Sequence, residues 1–154
     1  MYLWLVALHL LGLAVFLSAH GVSMWVAFRV RGERNREVIA ALLGLSLRAS
    51  QVLYLGLLLL GIGGLGAAWS AGWLATTWNL ASYVVVVVVL AAMYSIASPY
   101  YHGLRAALDG EAGAPPLDDE ALVARLRSRR PEALALIGGS GVVILVLLMV
   151  LKPG

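Results

Sequence analysis

The chain has 154 residues, 62% of them hydrophobic and 12% charged, with a mean hydropathy of +0.91. A soluble domain is about half apolar and about a quarter charged, so this composition excludes both a water-soluble globule and a disordered chain. The absence of cysteine excludes disulfides, thiolate metal sites, cysteine nucleophiles and covalent c-type haem, and the net charge of +3 points to anionic lipid head groups rather than nucleic acid.

A membrane-crossing helix needs about 20 apolar residues. Four stretches meet that length: 2–28, 49–69, 80–98 and 133–151. The first has no charged side chain, lacks a basic n-region and is too long for a signal-peptide core, so it is expected to stay as an anchor. The second helix is expected to begin earlier, near Glu37, with residues 38–47 either continuing it inward or lying along the interface, and with Gly44 as a candidate break. The third holds six consecutive valines, 84–89, which favour a strand in water. A lone strand cannot satisfy its backbone in lipid, so a helix is expected there too.

Ten of the eleven basic residues fall in two alternate loops. Loop 29–48 carries Arg29, Arg31, Arg34, Arg36 and Arg48; loop 99–131 carries Arg105, Arg125, Arg127, Arg129 and Arg130. The positive-inside rule makes both loops cytoplasmic and puts both termini outside. Trp69, Trp73 and Trp78 in and beside the uncharged hairpin 70–79 then form an outer aromatic belt. Within the second loop, residues 118–130 read as a short helix after Pro115 and Pro116. Its acids lie in the first turn and its arginines near the end, as the helix dipole favours. It is expected to be a solvated connector touching lipid. The whole chain, 1–154, is thus one all-α, four-span bundle in the cell's inner membrane.

The first helix carries the most informative pattern. His9 and His20 are eleven residues apart, about 20° around a straight helix and about 16.5 Å along it. Tyr2, Phe16 and Ser23 lie near the same face, while Trp4 and Trp25 lie on the other side, about 31 Å apart, as lipid-facing anchors. Histidine is costly in a span and marks a functional site by default. The two are too far apart to share one ion. His102, after Pro99, Tyr100 and Tyr101, can approach His20 if the first and third helices are neighbours; Met24 and Met93 lie at inner depth and Met149 at outer depth. His/His or His/Met pairs across a bundle hold haem, Gly12 would admit a flat macrocycle, and Arg29, Arg31, Arg48 or Arg105 would meet its propionates. Copper or zinc on His9, His20, Met24, Met93 or Met149, a quinone contact, and plain hydrogen bonding to a neighbouring helix stay open beside haem b.

Two motif matches have the wrong surroundings. Gly61-Ile-Gly-Gly-Leu-Gly66 fits the dinucleotide fingerprint but sits inside a span, where Gly63/Ala67 and Gly64/Ala68 read as small-residue packing pairs. Gly138-Gly-Ser140-Gly141 resembles the serine loop of intramembrane rhomboid proteases, without their downstream histidine or their number of spans; Ala135 and Gly139 read as packing residues. All eight carboxylates lie in or beside the arginine-rich loops, so no span holds an acid for hydrolysis or proton-coupled transport, and no independent catalytic activity is expected.

The opening Tyr2-Leu-Trp-Leu-Val-Ala-Leu-His9-Leu-Leu-Gly12, the arginine-rich first loop and the closing Leu145-Val-Leu-Leu-Met-Val-Leu-Lys152-Pro153 resemble a bacterial family of small four-helix integral membrane proteins without assigned function. That family is distantly similar to the membrane domain of copper-resistance D proteins. The resemblance covers the span layout of nearly the whole chain and matches His9 to the family's first-helix histidine, and it assigns no place to His20 or His102. Two functional expectations follow. One is a b-type haem redox module using first-helix histidines. The other is an accessory or assembly subunit that packs on a larger membrane complex or on itself.

Overall fold

The computed structural model describes residues 1–110 and 116–153. Among the described residues five α-helices follow in chain order: α1 (Tyr2–Arg29), α2 (Arg36–Ser70), α3 (Thr77–Asp109), the short α4 (Asp119–Leu126) and α5 (Arg130–Leu151), with a 3-10 turn, Val30–Gly32, after α1. The four long helices are long and apolar enough to cross a membrane, and no strand occurs among the described residues. The valine run is helical within α3, because only a helix pairs its own backbone groups there.

The helices outrun the expected spans at the arginine-rich end. α2 starts at Arg36, where the Asn35 side chain accepts the Glu37 and Val38 N–H groups. It passes through Gly44 unbroken, so residues 38–47 continue the helix and Gly44 is no break. α3 passes through Pro99 to Asp109, eleven residues beyond the expected end at 98. A proline removes one backbone donor but does not end a helix held by its neighbours. The connector helix is shorter than expected. Asp118 caps α4 at Ala121 N–H, α4 stops at Leu126, and Arg130 opens α5. Pro115 and Glu111 lie outside the described residues.

α1 packs along α2 and α3 along α5, while the two pairs touch each other far less. The α1–α2 seam is built on glycine. A Cβ on Gly12 would stand 2.3 Å from Leu60 N, one on Gly56 2.5 Å from Phe16 N, and one on Gly63 2.4 Å from His9 N. Leu5, His9, Gly12 and Phe16, spaced four, three and four apart, face Gly56, Leu60, Gly63 and Gly66, spaced four, three and three. Small residues let two backbones touch where lipid gives no hydrophobic drive for association. Gly12 therefore admits the α2 backbone, not a macrocycle.

The best-buried cluster lies at the arginine-rich end. Val26, Val30, Ile39, Leu104, Leu122 and Leu126 are each at most 2% exposed. An eight-residue helix is too short to be stable alone. α4 is held because Leu122 and Leu126, four residues apart, share the face that closes this cluster. It thus caps the bundle as well as connecting α3 to α5. Arg36 pairs with Asp119 at 2.7 Å and also donates to Leu117 O, and Arg31 pairs with Glu132 at 2.8 Å, tying the first loop to α4 and α5.

At the other end, Tyr2 meets Trp73 edge-on at 6.0 Å, and Trp73 meets Trp78 at 5.7 Å. Lys152 places Nζ 3.9 Å from the Trp73 ring centre. Trp69 and Trp4 are exposed as belt residues should be, but Trp78 is buried beneath Trp73 and holds the hairpin instead. Both ends of the bundle sequence thereby meet the uncharged hairpin, opposite the arginines.

Candidate functional site

The weak contact between the two helix pairs leaves a cleft of about 610 Å³ toward the arginine-rich end. Its lining runs from Phe16 to Ala27 on α1, a rise of about 16 Å, and includes α2, α3 and the start of α5. The walls are mainly aliphatic and aromatic, with a few polar groups, the composition of a small-molecule pocket. Tyr54 of α2 and Tyr94 of α3 line it and are 62% and 68% exposed, so the cleft opens sideways between these helices.

His20, His102, Met24 and Met93 all line this cleft. The structure thus brings together four of the six residues singled out in the sequence. The His20 ring stacks parallel on Phe16 at 5.9 Å. Gly138 of α5 is what lets it in: His20 Nε2 lies 3.2 Å, and Met93 Sδ 3.4 Å, from the point where a Gly138 Cβ would stand. Imidazole and thioether therefore meet at one glycine. His102 is exposed and shares the arginine-rich part of the lining with Arg105. Tyr101 donates its hydroxyl to Ser23 O at 3.3 Å, while the Ser23 hydroxyl is buried without a partner among the described residues.

The other two residues lie elsewhere. His9 is on the α1–α2 seam, its Nδ1 2.8 Å from Leu60 O and its ring against Gly64. Met149 is 37% exposed near the far end of α5 and does not line the cleft. The straight-helix angle concealed this split. The α1 seam positions Leu5, His9, Gly12 and Phe16 continue in the same alternation to the buried Ala19 and not to His20, which stands at the seam's flank and meets Gly138 of α5.

The remaining glycine readings are also settled. Gly138 and Gly141, not Gly139, make the α5 packing: Gly141 fits against Val89, and Gly139 has open space. Ser140 is exposed and donates to Ile137 O, an intrahelical bond. The fingerprint-like run lies wholly inside α2, with Gly63, Gly64 and Gly66 packed on α1. Among the described residues, no three His, Cys, Asp or Glu side chains gather as an ion site. The cleft offers imidazole and thioether donors instead, a set suited to an iron already held in a macrocycle.

Four long apolar helices, two glycine-packed pairs and a cleft opening between them define a small multi-span integral membrane protein. The chain belongs to the family described as "Predicted integral membrane protein (DUF2269)", whose model matches residues 3–153. No curated protein and no solved structure matches it.

Proposed function

We propose that the protein is a b-type haem-binding module of the inner membrane, with His20 as the anchoring ligand and the cleft as the haem site. The carrying observation is that His20, Met93, Met24 and His102 line one mainly apolar cleft that also has a cation, Arg105. The volume lies within the usual range of about 300–1,000 Å³ for cofactor pockets. Haem, when bound, supplies one-electron redox chemistry. The chain's part is to hold and orient it. His20 offers an imidazole steadied by Phe16, and Met93 offers a thioether beside the same glycine. Arg105 offers charge-assisted hydrogen bonds to carboxylates, and the positive-inside rule places that end in the cytoplasm. His9, already bonded to the α2 backbone, keeps a packing role.

Haemin titration of the haem-free protein, followed by Soret absorption, tests the location. Wild type is expected to bind one haem. Ala97→Trp, which fills the cleft from α3 while keeping every proposed ligand residue, is expected to abolish binding. Equal binding by both would refute the cleft as the site. No binding by either would favour the accessory-subunit reading, with the cleft as a joint between two helix pairs.

A further inference from the structure

A second hollow, of about 430 Å³, indents the surface at the arginine-rich end and shares no lining residue with the cleft. Ser95, Ile96 and Pro99 of α3 form one wall; Ser128, Arg129, Arg130 and Ala133 form the other, where the chain enters α5. Both arginines are exposed, and neither has an ion-pair partner among the described residues. The nearest acid in sequence, Glu132, is engaged by Arg31. Ser128 Oγ accepts the Arg130 N–H at 3.3 Å, which leaves its own proton free to donate outward. Below this polar rim lie Ile96 and Ala133, on helices that enter the membrane.

We propose that this hollow is a specific site for an anionic phospholipid, with the phosphate between Arg129, Arg130 and the Ser128 hydroxyl and the first acyl carbons against Ile96 and Ala133. Guanidinium pairs suit phosphate oxygens, and a basic pocket between membrane helices is the usual setting for such a head group. A soluble phosphate would use the rim but gain nothing from the apolar wall, so the lipid is the preferred source. The site goes beyond diffuse attraction of a basic loop to a charged leaflet, because two of the ten arginines carry it.

Phosphatidylglycerol binding to the detergent-solubilised protein, counted as lipid adducts by native mass spectrometry, tests the site. Arg129→Gln with Arg130→Gln is expected to weaken binding about thirtyfold, from about fivefold for each interfacial arginine. Arg34→Gln with Arg127→Gln removes the same charge outside the hollow and is expected to leave binding unchanged. Ala133→Trp fills the hollow with both charges kept and is expected to give a comparable loss; it decides the matter alone if the double arginine variant misfolds. Unchanged affinity in the hollow variants, or an equal loss in the charge-matched control, would overturn the proposal. Displacement of the lipid by inorganic phosphate at equal concentration would overturn the lipid as its ligand.

Discussion

Gly61 and Gly63 lie two residues apart in one glycine-rich run of α2, yet the structure gives them opposite roles. A Cβ on Gly63 would stand 2.4 Å from His9 N and 2.8 Å from both His9 Cα and Leu5 O, all backbone atoms. Ordinary contact begins near 3.4 Å, so Gly63→Ala needs the seam to open by about 1 Å. No side-chain rotation can relieve a clash with backbone. Overpacking of this kind costs about 1–3 kcal/mol, a five- to more than hundredfold loss in the folding constant. Gly61 has no neighbour within 4 Å, so Gly61→Ala meets no clash and reduces the flexibility of a helix interior. It is expected to stabilise by up to about 1 kcal/mol. Reversible unfolding by SDS in mixed micelles, followed by tryptophan fluorescence, measures both. Equal stability of the two variants would refute backbone contact between α1 and α2, and with it the placement of His9.

Three further outcomes follow from the same packing. His9→Ala should cost about 0.6–2 kcal/mol, mostly the bond to Leu60 O, while haem binding is retained; loss of haem with an intact fold would return His9 to the site. Leu126→Ala should cost about 2–5 kcal/mol and speed amide exchange across α4, because Leu126 is fully buried in the cap; exchange unchanged from wild type would show α4 held by its ion pairs alone. Glu33 accepts the backbone N–H groups of Arg34 and Asn35 and pairs with Arg29 at 3.1 Å, which holds its carboxyl below the usual carboxylate range. Its stabilising contribution is therefore present above the ordinary carboxylate pKa and fades as pH falls through the lowered value. Glu33→Gln should flatten that acid limb in an unfolding profile, and an unaltered limb would assign it to another acid.

The span layout was legible because lipid imposes it: uncharged runs of sufficient length and arginines in alternate loops leave few arrangements. The start of α2 near Glu37 was legible too, while the run of α3 past Pro99 and of α2 through Gly44 was not, for local reasons. Pro99 lacks a donor but sits in a helix that α4 and α5 support, and Gly44 is one weak residue among strong helix formers in α2. The site was half legible. Chemistry singled out His20, His102, Met24 and Met93, and the structure puts them around one cleft. What the residue types could not reveal was which helix faces which. A straight-helix projection grouped His9 with His20, whereas the α1–α2 seam takes His9 and leaves His20 against Gly138 of α5. Gly138 stands out in the sequence only within the serine-loop-like run; in the structure it marks where α5 yields space to the His20 ring. Tyr101 and Ser23 gave no distinct pattern, since the bond from the Tyr101 hydroxyl to Ser23 O depends on the α1–α3 approach.

The most direct test of the haem module is a dithionite-reduced minus oxidised absorption spectrum of protein purified from haem-sufficient cells, with His20→Ala and His9→Ala alongside. Sharp reduced α and Soret bands in wild type and His9→Ala, lost or shifted in His20→Ala, are the expected result. A flat wild-type spectrum, or bands lost only in His9→Ala, would contradict it.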